Sequence, residues 1–116
     1  MNVASLPYAF SAPSGLLADP GNGGTITVNQ IGRGQVPLVS VGPAETRTLS
    51  APSVIGQELM LFMDTDAGDI VVTVNSGQGV SNITFDDAGD FAKLEAVSVA
   101  GAVKWRCIAY NGSTPA

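Results

Sequence analysis

Two apolar segments joined by a short polar one constrain the fold of this chain more than any other feature. The segments are Leu59 to Met63 and Ile70 to Val74, and the polar link runs from Asp64 to Asp69. In the second segment Ile70, Val72 and Val74 alternate with Val71 and Thr73, which indicates a strand with one buried face and one partly exposed face. The first is apolar on both faces and favours a central strand. Because Gly68 can take the positive φ of a tight turn, the pattern predicts a β-hairpin.

The polar link occurs a second time. The sequence Asp66-Ala67-Gly68-Asp69 returns as Asp87-Ala88-Gly89-Asp90, after a strand-like segment at 82–85 and before the apolar Phe91. We therefore predict two successive hairpins within one sheet system. Two copies are too few for a repeat array, so a solenoid is not predicted.

Other short alternating segments bring the predicted number of strands to about eight. They lie at 25–28, 35–41, 45–49, 82–85 and 103–110. Residues 92–96 are good helix formers, but β-prone residues follow at 97–99, and we favour a strand. Pro37 indicates that its strand lies at a sheet edge or begins after it. The predicted fold is all-β: an antiparallel β-sandwich, jelly-roll-like, spanning residues 25–116.

Residues 1–24 are predicted to form an extended N-terminal arm. Three prolines and four glycines in this segment argue against both helix and regular strand. Its apolar residues favour docking on the chain's own domain or on a neighbouring chain, because a disordered tail has few of them. A chain that starts at Gly24 is predicted to fold but to bind its partner poorly. The predicted partner-binding residues are Leu6, Tyr8, Phe10, Leu16 and Leu17.

The composition favours one domain in an assembly. Charged residues make up only 13% of the 116 residues, about half the usual share, which leaves much neutral or apolar surface and predicts a homo-oligomer. A net charge of −5 with five basic residues argues against nucleic-acid binding. No apolar run is long enough for a membrane span, and the amino end does not look like a secretion signal, so we expect synthesis in the cytoplasm.

Few residues are available for catalysis or metal binding. The chain has no histidine, which excludes a Ser-His-Asp triad and histidine metal sites. Aspartates in tight turns beside glycine are typical of turn geometry, so no catalytic, cofactor or metal site is predicted, although two acidic turns could share a calcium ion. Cys107 and Trp105 are expected in the core, with Trp105 and Tyr110 as a sugar-stacking platform the less favoured alternative. The acidic candidates are Asp64, Asp66, Asp69, Asp86, Asp87 and Asp90.

Several turn and strand segments together form a pattern that spans residues 24–110. They are residues 45–49, Pro52, 56–59, 64–69, 85–90 and 105–106. In this pattern the chain resembles small proteins that are common in tailed-bacteriophage genomes, often near head genes: the capsid decoration, or cement, proteins. The resemblance implies a β-rich virion protein, commonly trimeric, on the outside of the head, where it binds the major capsid protein and reinforces junctions between capsomers.

Two other classes of function remain open from the sequence. One is a head-tail, tail or fibre component built on the same sandwich, and the other is a calcium- or sugar-binding module. Sedimentation with heads rather than tails would favour decoration. A calcium-dependent shift in melting temperature would favour the binding module.

Overall fold

The computed structural model describes residues 15–29 and 32–116, which form nine β-strands and no helix. The all-β class predicted from the sequence is confirmed. No helix that could cross a membrane occurs in this part of the chain. The strands are β1 (Gly24–Ile26), β2 (Arg33–Val39), β3 (Ala44–Leu49), β4 (Glu58–Thr65), β5 (Asp69–Val74), β6 (Asn82–Phe85), β7 (Phe91–Val99), β8 (Ala102–Asn111) and β9 (Thr114–Pro115).

The strands form two sheets, one of five strands in the order β1-β3-β5-β6-β9 and one of four in the order β2-β4-β7-β8. Buried apolar residues from both sheets belong to one core, so the body is sandwich-like. Both sheets are mixed. β3 pairs in parallel with β1 and β5, β2 pairs in parallel with β4, and the other strand pairs are antiparallel. The predicted purely antiparallel pairing is therefore wrong.

Both predicted hairpins are wrong for the same reason: the strands on either side of each acidic turn lie in different sheets. β4 and β7 belong to the four-stranded sheet, whereas β5 and β6 belong to the five-stranded sheet. A short polar link with glycine can join two neighbouring strands of one sheet, as a hairpin, or two strands of different sheets, as an arch. Alternation identifies the buried residues of a strand but not the strand that lies beside it. Ser40 Oγ stabilises the first arch by accepting from the N–H groups of Ala67 (2.7 Å) and Gly68 (3.0 Å).

The first half of the chain coils between the two sheets. Strands β1 to β5 lie alternately in the five-stranded and the four-stranded sheet. In the five-stranded sheet Thr25 is the partner of Thr48, and Thr48 is in turn the partner of Thr73. In the other sheet Gln35 is the partner of Met60, at nearly the same separation along the chain. This coil, residues 24–74, explains the parallel pairs, because each strand lies beside the strand one full turn before it.

Residues 15–23 are part of the folded body. Gln35 of β2 donates its N–H to the carbonyl oxygen of Gly15 (2.6 Å) and accepts from the N–H of Leu17 (2.8 Å). The chain then crosses to the five-stranded sheet and continues into β1. Leu17 packs against the core. The predicted arm is therefore attached to the body from Gly15 onward, while residues 1–14 lie outside the described residues.

Three finer predictions are confirmed. Residues 92–96 lie within β7, so the strand was correctly favoured over a helix. Among the named strands β2, which contains Pro37, is at the edge of its sheet. Trp105 is fully buried, and its Nε1 donates to the carbonyl oxygen of Ser50 (2.8 Å), which links β8 to the connection that follows β3.

The glycines of the two acidic arches are needed for different reasons. Gly89 has a φ of +94°, as the turn pattern predicts. Gly68 does not have a positive φ, so that prediction is wrong. A Cβ on Gly68 would instead collide with the carbonyl oxygens of Gly42 and Pro43. These two residues belong to the connection between β2 and β3, which is a neighbouring arch between the two sheets. Close packing of two arches, rather than backbone conformation, requires glycine at this position.

We expect Gly68→Ala to lower the free energy of unfolding by about 1–3 kcal/mol, because the two arches must move apart to admit the methyl group. Gly42→Ala is the matched control, since a Cβ there would meet only Glu45 Oε2, at 3.6 Å. That variant should stay within about 0.5 kcal/mol of the wild type. Urea unfolding measures both, and equal midpoints for the two variants would contradict the packing explanation.

Candidate functional site

The two acidic arches lie at the same end of the sandwich, which we call the acidic end. β2 and β4 also finish there, because they run parallel, and β7 begins there. Asp19, whose carboxylate binds the N–H of Val39 at the end of β2, and Glu45, near the start of β3, lie at this end as well. Eight of the chain's ten acidic residues are therefore at this end: Asp19, Glu45, Asp64, Asp66, Asp69, Asp86, Asp87 and Asp90.

The candidate carboxylates of the acidic end do not assemble a site. Asp90 Oδ2 accepts from the N–H groups of Asp86 (3.0 Å) and Asp87 (2.9 Å), so it stabilises its own arch. Across residues 15–29 and 32–116 no three acidic or cysteine side chains are grouped so that they could hold a metal ion. The acidic turns do meet at one end of the sandwich, and the described contacts of Asp90 are those of a structural residue.

The proximity of the two arches affects Asp86. Partial desolvation raises the pKa of Asp86 above its usual value, and the negative charges of Asp69 and Asp90 raise it further. A carboxyl group with a raised pKa in the folded state is harder to ionise there than in the unfolded chain. Ionised Asp86 therefore lowers stability at neutral pH, and this effect disappears as the pH falls through the raised pKa.

Asp86→Asn should raise the melting temperature at pH 7. The gain should shrink toward zero as the pH approaches about 3, where the wild-type carboxyl group is protonated in both states. Glu58→Gln is the control, because Glu58 lies 3.4 Å from Arg33 and 3.7 Å from Lys93, and it should give no gain. Thermal melts of the three proteins across this pH range make the comparison. A gain for Asp86→Asn that is independent of pH would contradict the electrostatic explanation.

One cation is buried in the described part of the chain, on the inward face of β3. Arg47 binds Asp19 with two bonds, Nε to Oδ1 at 2.7 Å and Nη2 to Oδ2 at 3.0 Å. Its Nη2 also lies 3.0 Å from Glu45 Oε1, an ion pair without the alignment of a hydrogen bond. The guanidinium donates to the carbonyl oxygens of Val39 (3.0 Å) and Thr46 (3.1 Å) as well. We call Asp19, Glu45 and Arg47 the buried ion cluster.

The pKa values of the buried ion cluster indicate that its members are charged. Burial raises the pKa of Asp19, but hydrogen bonds from Arg47 and the N–H of Val39 outweigh it, and the pKa lies below its usual value. The N–H of Val41 lowers the pKa of Glu45, and the hydrogen bond to Asp19 raises that of Arg47. The contribution of Asp19 to stability is therefore present at neutral pH and is lost as the pH falls through its lowered pKa.

Buried polar side chains in the described residues bind the backbone. Gln57, for example, accepts at Oε1 from the N–H groups of Ser53 (2.9 Å) and Val54 (3.1 Å) in the connection between β3 and β4. Each such bond fixes a connection or ties two segments together. The six buried polar residues with backbone bonds are Ser40, Glu45, Arg47, Gln57, Asp90 and Ser113.

A groove of about 370 Å³ lies where the connection between β5 and β6 meets β8 and β9. Cys107 lines it and packs against the core but is only half-buried, so its prediction as a core residue is correct in part. Burial raises the pKa of its thiol. Tyr110 is exposed at the groove whereas Trp105 is buried, so the two rings do not form a sugar-stacking platform. The lining residues are Gln78, Gly79, Val80, Arg106, Cys107, Tyr110 and Pro115.

The predicted partner-binding residues are divided. Leu17 packs against the core, whereas Leu16 is 60% exposed at the outer edge of β2. Leu6, Tyr8 and Phe10 lie outside the described residues. The binding of all five to a partner stays a prediction.

We call the end of the sandwich that lies away from the acidic end the opposite end. Its described connections carry no charged side chain, but Arg33 and Glu58 lie there as the first residues of β2 and β4. The connection between β3 and β4 presents Val54 and Ile55 there, 41% and 58% exposed. Sequence reasoning missed this pair, for which the available signal was two adjacent apolar residues between turn-forming residues. The described residues of the connections at this end are 27–29, 50–57, 75–81 and 100–101.

No protein-family model and no curated protein matches the chain.

Proposed function

We propose that the protein is a structural component of a bacteriophage virion, which binds the outside of the head and stabilises junctions between capsomers as decoration proteins do. The observation that carries the proposal is the use of buried polar groups. In the described residues the buried polar side chains hold connections and join segments of one rigid body. Such a body suits a protein whose task is to reinforce an assembly.

The outward face of the five-stranded sheet also supports a role as a subunit of an assembly. Thr25, Thr48, Thr73 and Asn82 are successive partners across four of its strands, and Thr84 lies on the same face. This face is uncharged between its strand ends, so a neighbouring subunit can cover it without desolvating charge. We propose a homotrimer as the assembled form, with the major capsid protein as the other partner.

Attachment through the arm fits the same role. Leu6, Tyr8 and Phe10 offer apolar anchors, and burying such a side chain fully is worth roughly 1.5–3 kcal/mol. Two anchors therefore change the affinity more than about tenfold. Since no charged side chain precedes Asp19, attachment by this segment should depend little on salt.

The experiment is sedimentation of the full chain with heads purified from the phage that encodes it, in a form lacking this protein. We expect the chain to sediment with heads and to saturate at a fixed number of copies, and light scattering should show a homo-oligomer. Sedimentation with tails instead of heads would replace decoration by a head-tail, tail or fibre role. A chain that stays in the supernatant with both would overturn the proposal.

A further inference from the structure

We infer that the acidic end of one copy of this chain binds the outward face of the four-stranded sheet of a second copy. We call that outward face the cationic face. The inference rests on the homo-oligomer of the proposed function and names the two surfaces that form its contact. Because the two surfaces differ, the contact is heterologous, and contacts of this kind can close into a ring such as a trimer.

The cationic face carries four of the chain's five basic residues, and the fifth is the buried Arg47. Each of the four stands next to a buried residue of its strand and points to the outward side. With Glu58 and Glu95 on the same face, cations outnumber carboxylates there by four to two, whereas the other eight carboxylates are at the acidic end. The four cations are Arg33, Lys93, Lys104 and Arg106.

The cationic face also presents apolar side chains beside its cations. Phe62 of β4 and Phe91 of β7 are direct cross-strand partners, and Pro37 of β2 is the partner of Phe62 on its other side. All three are only half-buried, as is Met60 on the same face. Aromatic and methionine side chains at the centre and charged side chains around them are typical of a protein–protein interface.

The acidic end supplies groups that match the cationic face. Val41, in the connection between β2 and β3, is 84% exposed there, and the following Gly42 lies close to Gly68 of the first acidic arch. The N–H of Val41 donates to Glu45 Oε2 (2.6 Å), so the apolar side chain is presented by a fixed loop. An exposed apolar side chain among carboxylates is the complement of an aromatic patch among cations. The exposed aspartates are Asp64, Asp66, Asp69, Asp86 and Asp87.

The electrostatics of the acidic end favour a cationic partner. After partial desolvation, the charges of neighbouring aspartates raise the pKa of Asp86, so these carboxylates repel one another in the free chain. Cations of a second copy relieve that repulsion, and the aspartates in turn pair the cations that any covering surface must desolvate. A second copy meets both needs with surfaces that the chain itself carries.

The test reverses one charge on each surface. Lys104→Glu changes the cationic face, where the cross-strand partner of Lys104 is the neutral Val97, and Asp66→Lys changes the acidic end. We expect each variant to weaken self-association of the purified chain at least about tenfold, measured by analytical ultracentrifugation at low salt. Thr73→Glu is the control, because it puts a carboxylate on the outward face of the five-stranded sheet, which this contact leaves free. It should associate within about twofold of the wild type.

A mixture of the two variants tests whether the contact joins two different surfaces. The Lys104→Glu chain keeps its acidic end and the Asp66→Lys chain keeps its cationic face, so the mixture should associate more strongly than either variant alone. Raising the salt to about 0.5 M should also weaken the wild-type oligomer, because the charges are then screened. Each variant should keep the wild-type circular dichroism spectrum, since these side chains lie on the surface.

The outcomes separate this inference from the proposed function. Variants that associate like the wild type, or a mixture no stronger than its components, would overturn the inference and leave the binding to heads untouched. A loss of association in Thr73→Glu alone would assign the contact to the other sheet, which also overturns it. A wild-type chain that is monomeric at micromolar concentration would overturn both the proposed homotrimer and this contact, while sedimentation with heads decides the decoration role separately.

Discussion

Replacing Arg47 with methionine should remove about 3–5 kcal/mol from the free energy of unfolding, because it leaves the buried Glu45 and the largely buried Asp19 without their cation. Whole domains are stable by only about 5–15 kcal/mol, so this variant should be close to unfolding at moderate temperature. The matched control is Arg33→Met. Arg33 is 84% exposed and lies 3.4 Å from Glu58 Oε1, so its loss should cost no more than about 1 kcal/mol. Denaturant unfolding compares the two variants.

Two further measurements separate charge from packing at Arg47. Adding Asp19→Asn and Glu45→Gln to Arg47→Met should recover part of the lost stability, since no unpaired charge then remains. The stability difference between wild type and Arg47→Met should also shrink in acid, because a protonated Asp19 needs no cation. A cost equal to that of Arg33→Met at neutral pH would show that the buried ion cluster contributes little.

A chain that starts at Gly24 should lose at least about 3 kcal/mol of stability. It lacks Asp19, whose removal leaves Arg47 with Glu45 as its remaining carboxylate, and it lacks Leu17, which packs against the core. The first loss is worth about 3 kcal/mol or more. The second is smaller than the about 1.5–3 kcal/mol of a fully buried leucine, because Leu17 is only partly buried. The sequence alone predicted that this shortened chain would fold normally, and the contacts of residues 15–23 reverse that expectation.

A chain that starts at Gly15 is the control for this truncation. It keeps both contacts, so its melting transition should match that of the full chain, while it should bind heads poorly if the arm carries attachment. Adding Arg47→Met to the Gly24 chain should cost less than the same change in the full chain, since the pair with Asp19 is already gone. A Gly24 chain that melts like the full protein would contradict the structural role of Asp19.

The sequence predicted which residues are buried better than it predicted which strands lie side by side. Ile70, Val72 and Trp105 are buried as the alternation indicated. An alternation of apolar and polar residues shows which face of a strand is buried, but it does not show which strand is its neighbour in the sheet. The arches show the difference, because Ser40 and Gly68 meet although they are far apart in the sequence. No local pattern connects them.

The candidate surfaces were harder to predict because they combine distant parts of the chain. Arg47 stands at an inward position of a strand, and its main partner, Asp19, comes from a much earlier segment that was predicted to be an arm. Val54 and Ile55 were not identified, because two adjacent apolar residues between turn-forming residues do not show by themselves that their side chains stay exposed in the fold.

The coil of residues 24–74 also determines how a chain of this architecture can change in length. Each full turn, such as the one from Thr48 to Thr73, adds one strand to each sheet. A duplicated turn would widen both sheets by one strand spacing, about 4.8 Å, and keep every other strand beside its present neighbour. A single added or deleted strand would instead transfer all strands before it to the opposite sheet and turn their buried faces outward. Viable insertions and deletions in this half should therefore come in whole turns.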